Sequence, residues 1–257
     1  MHGGDPGGLQ AARAQLVGHS ARLLADGLAV GSAGNMSIRV GDVVAITPSG
    51  ISYAEMRPAD VCLVALDGTE LASSETPSSE TPMHLAIYAA VEAAAVVHTH
   101  SPEVIALSAA RDELPAIHYA ITGLGGPVRV APYRTFGSAG LAAAAVAALD
   151  GRSAVILRNH GAVTYGRDLA QAYDRALLLE WLARTYRMAL SYGVPATLSA
   201  AELDEVTAEI RRRRYGERRA SPGRSHHGPF GPNQSPCDAR LAGVSTSPTA
   251  STSIVIS

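Results

Sequence analysis

The sequence predicts an α/β fold in which helices pack around a mainly antiparallel β-sheet. Two observations predict it. Segments with helical apolar spacing alternate irregularly with short apolar runs, and these runs meet at Gly–Asp and Asp–Gly turns. At 47% hydrophobic and 17% charged residues over 257 positions, the chain also has enough apolar surface for a substantial core.

Residues 1–8 are glycine-rich and read as a flexible N-terminus. From 9 to about 28, Leu16, Leu23, Leu24 and Leu28 recur at helical spacing, and GSAGN (31–35) breaks that helix. MSIRV and VVAIT flank Gly41-Asp42 as the arms of a hairpin, which Pro48-Ser49-Gly50 closes. Ser52 and Glu55 fit the capping box of a short helix. A second hairpin, VCLVAL then TELA, turns at Asp67-Gly68. A helix begins at Ser79 or Glu80 and runs through MHLAIYAAVEA, with Pro82 tolerated in its first turn. AAVVHTH reads as a buried strand whose end turns polar. A helix near 102–110, a strand at 127–131, a helix at 138–149 and strands at 153–157 and 161–166 follow. The longest helix spans 168–192, and Ser199 with Glu202 caps a last one that runs into the arginines of 211–214. Trp181 and its leucine neighbours fall at helical spacing, as core positions do. From 218 to 257 the chain is rich in Gly, Ser, Pro and Thr without periodicity and reads as a disordered tail.

Composition excludes several function classes. The two cysteines, Cys62 and Cys237, are far apart, which argues against a disulfide framework or a cysteine zinc knuckle. MHGGDPGGLQAARAQL lacks the apolar centre of a signal peptide, and the apolar run at 141–149 is too short to span a bilayer, so a cytoplasmic protein without membrane attachment is expected. A net charge of −2 predicts no general attraction to nucleic acid. All 21 basic residues are arginines. Without a lysine amine there is no Schiff-base chemistry, and any carbanion formed here needs another electron sink.

His98 and His100 stand at i and i+2 at the end of an apolar strand, so period-two geometry puts both imidazoles on one face. His160 lies in RNHG, between two strands, where glycine allows close backbone approach. Glu80 follows two serines at a helix start, where a carboxylate alone would read as a cap. Together the three histidines and the carboxylate make a plausible tetrahedral zinc set. A Lewis-acidic cation there would be the electron sink that the absent lysine cannot be. His84, one turn after Glu80, shares its face and reads as a supporting or core histidine; His118, next to Tyr119, points to the opposite side if extended. GNMS (34–37), TPSG (47–50) and PSSE (77–80) each offer hydroxyls and backbone N–H groups, and the serines lie at a helix N-terminus that favours anions. Together they read as a phosphate cradle that needs no lysine.

GNMS, TPSG, PSSE, HTH, AIHYAITGLGG and NHG occur in the order and spacing of the class II aldolase/adducin family, which the chain resembles over about residues 10–216. Within it the resemblance is greatest to L-fuculose-1-phosphate aldolases. It implies a three-layer catalytic domain over 9–217 and zinc, with manganese, iron or cobalt as substitutes, held by Glu80, His98, His100 and His160. Glu80 would also serve as acid/base. The phosphate of a small phosphorylated sugar would lie against Gly34, Asn35, Ser49, Gly50, Ser78 and Ser79. The resemblance further implies a homotetramer with active sites at subunit interfaces. There Tyr119 would reach across from a neighbour, and Tyr215 would close over the substrate. Rival readings are a 4-epimerase, dehydratase or decarboxylase on the same scaffold, and a metal-free adducin-like binding domain. The family's epimerases use an added acidic residue in the segment matching 115–126, and none is present there.

Overall fold

The computed structural model describes residues 5–71 and 73–213. The expected role of Tyr215 and the expected tail at 218–257 lie outside them. Helix α1, Pro6–Ala25, starts inside the glycine-rich stretch because the Asp5 carboxylate accepts from the backbone N–H groups of Gly7 and Gly8. Strands β1 (Asn35–Val40), β2 (Val43–Ile46) and β3 (Cys62–Ala65) follow as an antiparallel meander. Helix α2 is Thr81–Ala90 and strand β4 is Ala95–Thr99. Helix α3 (Pro102–Ala110), strands β5 (Glu113–Leu114) and β6 (Val128–Ala131) and helix α4 (Ala139–Ala148) come next. Strands β7 (Ala154–Leu157) and β8 (Gly161–Gly166) and helices α5 (Leu169–Leu190) and α6 (Ala200–Arg212) complete the order. Among the described residues no helix is long and apolar enough to cross a membrane.

The eight strands form one sheet in the order β3-β2-β1-β4-β8-β7-β6-β5. Every neighbouring pair is antiparallel except β6 with β7, so the expected mainly antiparallel sheet is present. Alternation along the strands divides the core into layers. Ala95 and Val97 of β4 pack with Leu16 and Leu23 of α1 and with Leu169 and Tyr173 of α5. Ala154 and Ile156 of β7 meet α3 and α5 on that same face through Val104, Leu107, Leu179 and Leu182. Val96, Val155 and Val163 point the other way, against Met83 and Ile87 of α2 and Leu141 and Ala145 of α4. The result is three layers, with α1, α3 and α5 on one face and α2 and α4 on the other.

Several local expectations are corrected. Ser52–Glu55 forms a hydrogen-bonded turn rather than a helix, with Met56 and Glu55 both donating to the Ser52 carbonyl. The second arm of the Asp67-Gly68 hairpin shrinks to one bridge, Val64 with Glu70. Helix α2 stops at Ala90, where Val91 adopts an extended conformation that its β-branched side chain favours, and leads the chain toward β4. Residues Tyr119–Leu124 form a 3-10 helix capped by His118, whose ring therefore stacks on Tyr119 at 4.4 Å instead of pointing away. Trp181 is 37% exposed, its indole edge-on to His118, and is not a core residue.

Candidate active site and metal centre

Position along β4 decides where the histidines go. His98 shares its parity with Val96, so it faces α2, and it is fully buried. His98 sits directly opposite Asn35 on β1 and Val163 on β8. The Nδ1–H of His98 donates to the carbonyl oxygen of Ala162 at 2.9 Å, which leaves Nε2 as the atom that can ligate. His100 follows two residues later on the same side, its Nε2 at 3.0 Å from that of His98. His160 arrives from the turn between β7 and β8. That turn places Asn159 at φ 52, a left-handed conformation that asparagine tolerates better than most residues, and Asn159 N–H donates to Ser108 Oγ. Gly161 then lets β8 close on β4, because a Cβ there would lie 2.0 Å from the Thr99 carbonyl oxygen. The three imidazole centroids stand 4.8, 4.9 and 4.9 Å apart, nearly an equilateral triangle.

Glu80 occupies the cap position of α2 yet makes no capping hydrogen bond, so the helix-cap reading fails. Its side chain turns into the sheet instead. Oε2 lies 2.7 Å from His98 Nε2 and accepts from Asn35 Nδ2 at 3.1 Å. Oε1 is buried with no hydrogen-bond partner, and its near neighbour is His160 Nε2 at 3.4 Å. An unpaired buried carboxylate oxygen costs free energy unless something cationic meets it. One donor atom from each of Glu80, His98, His100 and His160 lies within 4.8 Å of the others. Four donors at about 2.0–2.1 Å from one ion stand about 3.3 Å apart in a tetrahedron. The residues therefore fit a divalent cation in donor type, spacing and the orphaned oxygen.

The electrostatics agree. Burial lowers the pKa of His100, helped by the positive potential of His98 and His160, and carries it to about 4, so this ring is held neutral as a ligand must be. Burial likewise pushes His160 down. For Glu80 burial opposes ionisation, but the charges of His98 and His160 and the hydrogen bonds from His98 and Asn35 outweigh it and hold the carboxyl below its usual range.

The three small-residue segments converge beside this cluster. Pro48 and Pro77 form a bridge, Ser49 N–H donates to Thr76 O at 2.9 Å, and Ser78 N–H to Thr47 O at 3.3 Å. Gly34 at φ 77 passes so close to β4 that a Cβ would stand 2.7 Å from the His98 carbonyl oxygen. A cavity of about 420 Å³ is lined by all six expected cradle residues, Gly34, Asn35, Ser49, Gly50, Ser78 and Ser79, together with Glu80, His100 and His160. Tyr119 does not line it and is 55% exposed.

Sequence reasoning passed over the far wall of the cavity, made by Tyr133, Arg134, Phe136 and Asn159. Tyr133 and Phe136 are 57% and 66% exposed. Their loop is docked by Gly137, at φ 69, whose Cβ would come within 2.9 Å of Ser79 O. Arg134 is the one guanidinium among the lining residues. His84, whose supporting role was expected, is fully buried between Asn35 and Ser37.

Comparison with known proteins places this site in context. Residues 14–187 match the family described as Class II Aldolase and Adducin N-terminal domain. The 5-deoxy-D-ribulose 1-phosphate aldolase of Bacillus thuringiensis is 38% identical over 205 residues, 79% of this chain and 96% of the relative. The 5-methylthioribulose-1-phosphate/5-deoxyribulose-1-phosphate aldolase of Rhodospirillum rubrum is 37% identical over 219 residues, 84% and 98% of the two chains. A solved structure of L-fuculose 1-phosphate aldolase superposes with a TM-score of 0.76 at 32% identity, covering 78% of this chain and 96% of that one.

Proposed function

Because the chain belongs to the class II aldolase and adducin family, we propose that it is a zinc-dependent lyase that cleaves a ketose 1-phosphate into dihydroxyacetone phosphate and a small aldehyde. The observation that carries this reading is the buried Glu80 oxygen without a hydrogen bond, beside three imidazoles and at the floor of a serine- and glycine-lined cavity. An adducin-like binding domain would need no such set.

Retro-aldol cleavage has three requirements: a hold on the phosphate, an electron sink for the phosphorylated fragment, and groups that move protons at two positions. Gly34, Asn35, Ser49, Gly50, Ser78 and Ser79 form the hold, and Arg134 at the rim adds the cationic charge that the cradle lacks. Zinc bound at Glu80, His98, His100 and His160 would supply the sink by drawing electron density from the ketose oxygens. Glu80 lines the cavity, and once substrate displaces it from the cation its Oε1 would deliver a proton to C3 after the bond breaks and remove it in the reverse direction. The C4 hydroxyl proton needs a second group. Tyr119 of a neighbouring subunit takes this role in a homotetramer, and its exposure outside its own cavity supports an action across an interface.

For the aldehyde half, the extent of the match to relatives supports one order of trial. Those acting on 5-deoxypentulose 1-phosphates match 79% and 84% of this chain at 38% and 37% identity, whereas the L-fuculose phosphate aldolase of Haemophilus influenzae matches 70% of it at 37%. A 5-deoxypentulose 1-phosphate is therefore the first substrate to try, with L-fuculose 1-phosphate second. The test is release of dihydroxyacetone phosphate from both, with and without a chelator. Chelator-sensitive release is expected. A metal-loaded protein that releases none from either would move the assignment to a dehydratase, decarboxylase or epimerase on this scaffold.

A further inference from the structure

The orphaned oxygen of Glu80 has a counterpart: the other oxygen is tied into a buried chain of side chains. Glu80, His84 and Tyr88 form one stripe of α2 at i, i+4 and i+8, while Asn35 and Ser37 are alternate residues of β1 facing it. The two rows interlock. Asn35 Nδ2 donates to Glu80 Oε2 at 3.1 Å, and His84 Nε2 lies 2.6 Å from Asn35 Oδ1. Ser37 Oγ lies 2.7 Å from His84 Nδ1 and 2.8 Å from the Tyr88 hydroxyl. None of the five residues is more than 5% exposed.

The direction of every bond follows from one end. An ionised carboxylate only accepts, so Asn35 presents its amide nitrogen to Glu80 and its oxygen to His84. His84 must then carry its proton on Nε2 and accept at Nδ1 from Ser37, whose oxygen accepts in turn from Tyr88. A chain with a single direction resists the flip of any one member, since a reversed Asn35 amide would set two acceptors against each other at Glu80 and two donors against each other at His84.

We propose that His84 is the positioning residue of this site: through Asn35 it clamps one oxygen of Glu80 and thereby presents the other to the cation and to the reacting proton. His84 touches neither substrate nor cation, and its effect runs through the carboxylate. The activity arm of the test rests on the lyase reading given above, and the metal arm does not.

The test compares wild type with His84→Leu and His84→Gln. Zn²⁺ affinity is measured by competition with a chelating dye, and kcat and KM are measured on the ketose 1-phosphate that wild type cleaves best. The glutamine amide can donate from near the Nε2 position, whereas leucine cannot donate at all. His84→Leu is expected to lose about 10- to 100-fold in Zn²⁺ affinity and in kcat, the range seen for partners of metal ligands. KM should stay within about threefold, since of the phosphate hold only Asn35 belongs to this chain of side chains. His84→Gln should recover most of both losses. Wild-type affinity and kcat in His84→Leu would overturn the proposal, and so would equal losses in the two variants at unchanged melting temperature. If His84→Leu does not fold, Asn35→Ser breaks the same link, and unchanged Zn²⁺ affinity there would also overturn it. If wild type cleaves no ketose phosphate, the lyase reading fails while the dye competition still decides the role of His84.

Discussion

In the proposed reaction Glu80 both ligates and moves a proton, and a glutamine separates the two roles. Glu80→Gln keeps an oxygen that can ligate and a nitrogen near His98, but it cannot exchange a proton. Metal content measured by atomic absorption should persist, while turnover falls by about 10²–10⁴-fold, the usual worth of a general acid/base. Full turnover in that variant would remove Glu80 from the proton path. The neighbouring residues differ in kind. Asn35 spends one amide hydrogen on Glu80 and its oxygen on His84, so its side chain serves the carboxylate as much as the cradle that the sequence reading assigned it to.

At the scale of elements, the site depends on how closely β8 approaches β4. Gly161 meets Thr99 O where any Cβ would be 2.0 Å away, with backbone as the obstacle. Gly161→Ala should therefore destabilise the protein by about 1–3 kcal/mol or more, as overpacking does, and should weaken metal binding because His98 and His160 flank the contact. Gly151, at φ 66 with nothing near it, is the opposite case, a left-handed backbone without a clash, and its alanine variant should cost about 1–2 kcal/mol with metal binding intact. Thermal melts alongside dye competition separate the two. Such closeness is also what made part of the site legible. HTH at strand spacing, a glycine after His160 and serines before a helix carry local signals, and the structure brings them together. Three features carry no such signal. The Tyr133–Phe136 wall lies in PYRTFG, whose place depends on Gly137 docking against Ser79, a contact between distant segments. The short β5 and the 3-10 helix at Tyr119–Leu124 are too brief for any period to show, so His118 was set on the wrong side of its neighbour.

For the whole molecule, the buried polar chain makes stability depend on pH. Burial is the main cause that pushes His84 down, from 6.5 to about 3, with the charge of His98 adding to it. The folded protein therefore keeps this ring neutral, while the unfolded chain takes up a proton below about pH 6.5. The stability contributed by His84 is complete above that value and is lost progressively as pH falls toward 3. Melting of the cation-free protein between pH 7 and pH 4 should show a steady decline, shallower in His84→Gln, and an equal slope in both would place the acid sensitivity elsewhere. The central strand pair has a different consequence. β4 and β8 are neighbours in the sheet but lie in different halves of the chain, so Glu80, His98 and His100 come from one half and His160 from the other. A bound ion would act as a clasp across that seam. If the backbone were nicked in the exposed stretch at 109–113, the two pieces would be held together more firmly with the ion than without it, and a chelator would loosen their grip.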